Sequence, residues 1–162
     1  MAGILSGCSS MFLPMECDIY YANETQDDYG AIEKNWYFGA TRSCSLYTMN
    51  DESNNENFSF DDKKFYRLET MLFGRVKNDL RKDDSGLYHP MSHILVTNIR
   101  KTGCGEELFF FETSEEYTVT PTIFEVKTVQ PFIGVFSTVE YYKVQLERSD
   151  TQELSPVALR KN

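Results

Sequence analysis

The chain has 162 residues and a net charge of −9, from 25 acidic and 16 basic side chains, and aromatic residues make up 14% of it. This length fits one domain of roughly 100–200 residues, which can bury a core without a disulfide or a metal ion. A protein that grips DNA through its phosphates needs a basic surface, so the acidic balance excludes a general DNA-binding role. It suits a component of a soluble particle, or a channel wall that DNA slides past without sticking.

The clearest local signal lies in residues 16–47. Two β-prone runs, 17–21 and 31–38, flank a polar turn that ends in Gly30. Such a pattern predicts a β-hairpin with a longer loop. A third, separate strand is predicted over 43–48, after Gly39.

Residues 63–82 follow a polar loop at 49–62 and form the one locally basic segment of the chain. Apolar residues recur there at spacings of three and four, which predicts an amphipathic helix, although Gly74 costs a helix about 1 kcal/mol relative to Ala. One interpretation is a helix with a solvated basic face. The other is a docking element that binds an acidic neighbouring subunit. The candidate docking residues are Phe65, Leu68, Leu72, Val76, Arg75 and Arg81.

The remaining sequence indicates a series of strands. A turn at 83–86 and a second turn at 103–105 separate them, and a bend is predicted at 131–134. The strands are predicted at 93–99, 106–111, 122–129 and 140–148. In the last of these, alternation places Tyr142, Val144 and Leu146 on the core side. Short strands divided by turns predict a mostly β fold: a small antiparallel β-barrel or sandwich with extended arms and one possible helix.

The predicted domain organisation has three parts. Residues 1–15 are small and apolar and form an N-terminal arm, lying on a neighbouring subunit or on the domain itself. Residues 16–148 form the β-barrel domain, with a polar and basic insertion at about 49–92. Residues 149–162 form a polar C-terminal tail.

Residue patterns that carry catalysis or metal binding are missing from this sequence. It contains no GxSxG, P-loop, GxGxxG, HExxH or CxxC motif. His89 and His93 are four residues apart, but Pro90 between them argues against a shared helical face. The four cysteines are expected to be reduced thiols, because the chain lacks a secretory context. No apolar run approaches the roughly 18 residues that cross a membrane. We therefore expect no enzyme activity, no metal, no cofactor and no membrane partner.

Two groups of segments resemble the head-closure, or stopper, proteins of tailed bacteriophages. The first is similar to the strand, "T-x-D-x-Y-G" loop and Trp-bearing strand with which those proteins begin. It comprises residues 19–21, the loop 25–30 and Trp36. The second is similar to the closing strands of that family, which end in a tyrosine-rich strand. It comprises residues 94–100, 122–129 and 141–148.

The resemblance implies a structural, non-enzymatic virion protein: a small β-barrel that forms a hexameric ring in the phage neck. The ring would lie between the portal with its adaptor proteins and the tail, and would retain the packaged genome. Its partners would be other copies of itself, portal-adaptor proteins and tail proteins, and DNA would only pass through its lumen. The hairpin loop would face the channel or a neighbouring subunit. The loop residues are Gln26, Asp27, Asp28, Tyr29 and Gly30.

Two alternatives remain open at this point. One is another tail component, such as a tail terminator or a baseplate wedge subunit. The other is a small cytosolic enzyme or a ligand-binding β-barrel. The second alternative predicts a monomer with a deep polar pocket, whereas the ring predicts a flat, aromatic-rich lateral surface.

Overall fold

A computed structural model describes residues 13–48, 71–113 and 118–149 of the chain. Six antiparallel strands close a barrel in the order β1-β2-β3-β8-β7-β4, and β5 and β6 form a separate two-stranded sheet. The described residues contain no α-helix; a 3₁₀ turn spans Met91–His93. The predicted mostly β, antiparallel fold is confirmed. The strands are β1 (Met15–Gln26), β2 (Ile32–Tyr47), β3 (Met71–Val76), β4 (Ile94–Lys101), β5 (Phe110–Thr113), β6 (Thr118–Pro121), β7 (Phe124–Ile133) and β8 (Val139–Arg148).

Alternating side chains of the six barrel strands fill the interior. Because successive residues of a strand point to opposite faces, every second position turns inward. Val144 and Leu146 are buried as predicted, and Tyr142 packs against the same core. The interior is therefore occupied by apolar side chains rather than by a ligand chamber. The core includes Cys17, Ile19, Tyr21, Cys44, Leu46, Leu72, Val76, Ile94, Val96, Val126, Val129, Val144 and Leu146.

The predicted helix is wrong where the structure describes it, because residues 71–76 form β3. Leu72 and Val76 are almost fully buried in the core, so they are not docking residues. A spacing of four is even, and it places two side chains on one face of a strand as well as of a helix. Since β3 pairs with β2 and β8, it belongs to the barrel and not to an insertion. Phe65 and Leu68, like the rest of the predicted docking segment before residue 71, lie outside the described residues.

Two predicted breaks in the strands are also wrong. β2 runs as one strand to Tyr47, with a shift in its register against β1 at Gly39, so no separate third strand begins at residue 43. β7 continues through Pro131, which lies opposite Tyr142 of β8, and the chain reverses only after Ile133. The predicted turns at 83–86 and 103–105 are confirmed, with left-handed backbone at their glycines.

Three chain connections leave the same end of the barrel. Neighbouring strands run in opposite directions, so β1, β3 and β7 all point the same way. The links that follow these three strands therefore leave from one end. These links are the β1–β2 loop (27–31), the β3–β4 connection (77–93) and the β7–β8 loop (134–138). We call this end the loop end. The start of β1 and the end of β8 lie at the opposite end.

Candidate interaction surfaces

The loop end carries most of the exposed large apolar side chains of the described residues. At the tip of the β7–β8 hairpin, Val135 is 95% exposed and Phe136 is 88% exposed, and Tyr29 on the β1–β2 loop is 97% exposed. A protein that functions alone rarely leaves such side chains concentrated in water, and their concentration marks an interaction surface. The residues of this set are Tyr29, Ile32, Leu87, Tyr88, Met91, Ile133, Val135, Phe136 and Val139.

Tyr21 fastens the β3–β4 connection across this end of the barrel. Its buried hydroxyl donates a hydrogen bond to the carbonyl of Leu80 at 2.9 Å. The ring of His89 stacks on the Tyr21 ring with centroids 4.2 Å apart. Burial of the phenol raises the pKa of Tyr21 to about 12, so the hydroxyl remains a donor at neutral pH. The connection is therefore part of the packed structure.

Asp83 organises the turn within this connection. Its carboxylate accepts hydrogen bonds from the Ser85 hydroxyl at 2.6 Å and from the backbone N–H of Leu87 at 2.9 Å. Its second oxygen lies 2.8 Å from Nε2 of His89. The hydrogen bonds from Ser85 and then from His89 hold the pKa of Asp83 far below its usual value. An ionised Asp83 is thus built into the loop end.

The β1–β2 hairpin projects beyond the barrel with both faces in water. Residues 23–35 are all exposed. In this stretch the two strands pair only with each other. Two contacts brace the hairpin against the 3₁₀ turn: Glu24 with Nε2 of His93 at 2.7 Å, and Lys34 with the carbonyl of Ser92 at 3.3 Å. A two-stranded ribbon alone is marginally stable in water. This hairpin accordingly has the form of an element that a partner would support.

The predicted hairpin loop lies at the tip of this projection. The Asp27 carboxylate accepts hydrogen bonds from the backbone N–H of Tyr29 at 3.0 Å and of Ala31 at 2.7 Å. Gly30 adopts a φ of 85°, a left-handed conformation that glycine takes without a steric penalty. Gln26 reaches the Gly30 carbonyl at 3.4 Å. The turn residues therefore explain the loop's shape, and Asp28 and Tyr29 are presented outward.

A second surface lies on the outside of β3, β8 and β7. Here the rings of Phe132 and Tyr141 stack in parallel with centroids 4.7 Å apart. The Arg75 guanidinium lies 5.4 Å from the Tyr141 centroid, and the Lys143 ammonium lies 5.3 Å from the Phe132 centroid. We call these four residues the basic–aromatic face. Of the candidate docking residues, Arg75 is the one that the structure places on an exposed surface with an accessible charge.

The two cations of this face form no ion pair within the described part of the chain. Arg75 and Lys143 lie directly opposite each other on neighbouring antiparallel strands. Like charges in that position destabilise a sheet, and cation–π contacts worth about 0.5–1 kcal/mol at exposed sites offset part of this cost. An anionic partner would remove the remaining repulsion.

An open polar cleft of about 470 Å³ separates the β3–β4 connection from the barrel wall. Two of its charged side chains form ion pairs: Arg42 with Asp84, also in the cleft, at 2.7 Å, and Asp79 with the neighbouring Arg81 at 2.8 Å. Burial alone would raise the pKa of Asp79, but its hydrogen bonds from Arg81 outweigh this and lower it. The candidate docking residue Arg81 therefore holds its own connection together, and its charge is not free for a partner.

A buried polar cluster on the outside of β1 holds the segment after β4 against the barrel. Asp18, which is fully buried, accepts hydrogen bonds from Thr41 and from Asn98, each at 2.8 Å, and lies 3.3 Å from Arg100. Burial raises the pKa of the nearby Glu107 carboxyl. No sequence pattern identifies this cluster, because its members come from distant parts of the chain. The hydrogen bonds that satisfy Asp18 indicate a structural role.

The histidines and the described thiols do not converge on one site. His89 contacts Asp83 and His93 contacts Glu24, so the two rings serve different elements. Cys17 and Cys44 are buried in the core, while Cys104 is exposed in the turn after β4. In residues 13–48, 71–113 and 118–149 no cluster of three or more metal-ligating side chains occurs.

Comparison with protein-family models, curated proteins and solved structures found no match. Within the described ranges, no helix is both long and apolar enough to pass through a membrane.

Proposed function

We propose that this chain is a structural subunit of a phage neck, a head-closure protein that forms a ring between the portal-adaptor complex and the tail. The observation that carries the proposal is the loop end, where three connections present exposed apolar side chains on a packed barrel. Such a surface suits permanent burial in an assembly. A hexameric ring of these barrels, retaining the packaged genome, is the form that the resemblance to stopper proteins implies.

Charge supports the same proposal. The chain carries a net charge of −9, so its summed field repels a DNA backbone. A wall that repels DNA lets the genome be held or released without adhering to it. Arg75 and Lys143, which form no ion pair within the described residues, are suited to protein contacts because they lie beside aromatic rings.

The packed interior argues against the ligand-binding alternative. Small-molecule sites are concave and enclose most of the ligand, whereas the barrel interior is filled by apolar side chains. The cleft beside the β3–β4 connection is open rather than enclosing, and its Arg42, Asp79 and Asp84 already form ion pairs. These features favour a structural subunit over an enzyme or a ligand-binding protein.

Immunoelectron microscopy tests the proposal. An antibody raised against the purified chain would be applied to intact virions, to DNA-filled heads that lack tails, and to free tails. We expect label at the head–tail junction of virions and at the tail-joining vertex of the heads. The control is the same antibody preabsorbed with the purified chain.

Three other results would each support a rival. Label on free tails alone would indicate a tail terminator, and label at the far end of the tail would indicate a baseplate subunit. Particles without label would leave the cytosolic alternative.

A further inference from the structure

We propose that the projecting β1–β2 hairpin of one subunit docks on the basic–aromatic face of a second copy of this chain. This inference rests on the proposed function, because both require a ring of copies. It names the two surfaces that meet in that ring. Each surface carries charged side chains that form no ion pair within the described residues of one subunit.

The hairpin supplies the acidic partner. Asp28 at its tip and Glu33 on its second strand form no ion pair in the described residues, although both are exposed. Asp27 adds a third negative charge beside them, and Lys34 is turned toward Ser92. The outer hairpin is thus an acidic projection with apolar Tyr29 and Ile32 beside the charges.

The basic–aromatic face supplies the complement. Arg75 and Lys143 are exposed, lie opposite each other across β3 and β8, and have no acidic partner within the described chain. Acidic side chains placed between these two cations would replace a like-charge contact with two attractive ones. Further along the chain, Ile133 and Val135 beyond Phe132 are exposed and offer apolar surface for the hairpin tip.

The position of the two surfaces on the barrel determines the type of assembly. In the strand order, β1 and β8 are three places apart in a ring of six, as are β2 and β7. β3, which carries Arg75, pairs with β2, but only at the end of β2 that is far from the hairpin, so the hairpin tip and the basic–aromatic face are separate surfaces of the subunit. A contact between two different surfaces is head-to-tail, and its repetition generates a closed ring or an open filament.

The register places the two surfaces at different heights along the barrel. Val76 of β3 lies opposite Cys44 of β2, and Cys44 lies opposite Met15, the first residue of β1. Arg75 is therefore level with the start of β1, while the hairpin extends from the other end of that strand. In a closed ring, docking of the hairpin on the next copy's basic–aromatic face requires the barrel axis of each subunit to be tilted relative to the ring axis.

Charge reversal tests the interface. The face variant is Arg75→Glu/Lys143→Glu, and the hairpin variant is Asp28→Lys/Glu33→Lys. We expect the full-length wild-type chain to form oligomers that grow with concentration in sedimentation velocity and native mass spectrometry. Each variant alone should associate at least ~100-fold more weakly, because like charges then meet at the interface. The control matched to the face variant is Lys77→Glu/Lys101→Glu, which makes the same change in net charge as that variant but elsewhere, and it should associate as the wild type does.

Mixing the two variants gives the decisive result. The face variant has an acidic face and an acidic hairpin, and the hairpin variant has a basic hairpin and a basic face. Every contact between unlike subunits is then complementary, so a mixture should regain wild-type-sized oligomers that contain both chains in equal amounts. A mixture that stays monomeric would overturn the proposal, and so would variants that associate as the wild type does or a wild type that is monomeric at every concentration.

Two further measurements keep the outcomes distinct. Thermal melting must show each variant folded; if the reversed pair unfolds the chain, Arg75→Gln/Lys143→Gln replaces it and should still weaken association by about tenfold or more. If the antibody labels the neck but the charge variants assemble normally, this interface is wrong and the neck role stands. If the mixture reassembles but no virion carries the chain, the neck role is wrong and the interface stands.

Discussion

Replacing Leu72 with Ala tests the assignment of β3 to the barrel core. Leu72 is 2% exposed and lies opposite Leu146 of β8. Truncating a buried Leu removes its burial free energy and leaves a cavity, at a cost of about 2–5 kcal/mol. We expect the free energy of unfolding to fall by about 3 kcal/mol, which corresponds to a decrease in Tm of roughly 6–12 °C for a chain of this size.

The assay is urea unfolding followed by fluorescence of Trp36, the only tryptophan of the chain. Trp36 packs against the buried cluster of Tyr20, Leu95 and Ile123, so its emission reports on the folded barrel. The dependence of the free energy on urea should stay unchanged, because both chains expose similar surface on unfolding. The control is Arg75→Ala on the same strand, which loses only an exposed cation–π contact of about 0.5–1 kcal/mol. Equal and small losses in the two variants would refute the assignment of Leu72 to the core.

Three other predictions concern the loop end and the thiols. Tyr21→Phe deprives the buried Leu80 carbonyl of its donor and should cost about 1–2 kcal/mol in urea unfolding; no loss would mean that the connection is not fastened there. Because the folded-state pKa of Asp83 is lowered, its contribution to stability is present above the unfolded-state pKa, near 4, and is lost as the pH falls through and below that value. Asp83→Asn should therefore lower Tm at pH 7 and flatten its dependence between about pH 5 and 2, whereas parallel curves would contradict this. In a Cys8→Ser chain, Ellman's reagent should find one reactive thiol, Cys104, in the folded state and three after denaturation, since Cys17 and Cys44 are buried; fewer than three would reveal a disulfide.

The sequence was informative where local chemistry determines the structure. The β1–β2 hairpin follows from two β-prone runs around a turn whose Asp27 and Gly30 are suited to it. The last strand follows from strict alternation, and Val144 and Leu146 point inward as predicted. The exposed tip of the β7–β8 hairpin was hidden by Pro131, because a proline usually ends a strand.

The errors came from contacts that are distant in sequence. Gly74 counted only as a cost to the predicted helix, but a Cβ there would lie 2.0 Å from the carbonyl oxygen of Ser45, so β3 needs a glycine to approach β2. Gly39 suggested a break in β2, yet the ring of Tyr21 lies over it and leaves no room for a side chain. In both cases the glycine marks a close approach that only the tertiary structure reveals.

The basic–aromatic face could not be predicted from the sequence for a related reason. Arg75, Phe132, Tyr141 and Lys143 come from three strands, and only the register of β3 with β8 and of β8 with β7 brings them together. The sequence identified Arg75 as basic within an acidic chain, but it assigned the accompanying apolar residues to the same surface. The structure separates them: Arg75 faces outward, while Leu72 and Val76 face the core.

A cryo-electron microscopy map of the neck in intact virions would test whether this chain forms the head-closure ring. We expect a ring below the portal-adaptor complex into which the six-stranded barrel fits. In that ring the β1–β2 hairpin of each subunit would contact Arg75 and Lys143 of the next. A neck map at side-chain resolution in which no ring accommodates this barrel would contradict the proposed neck role.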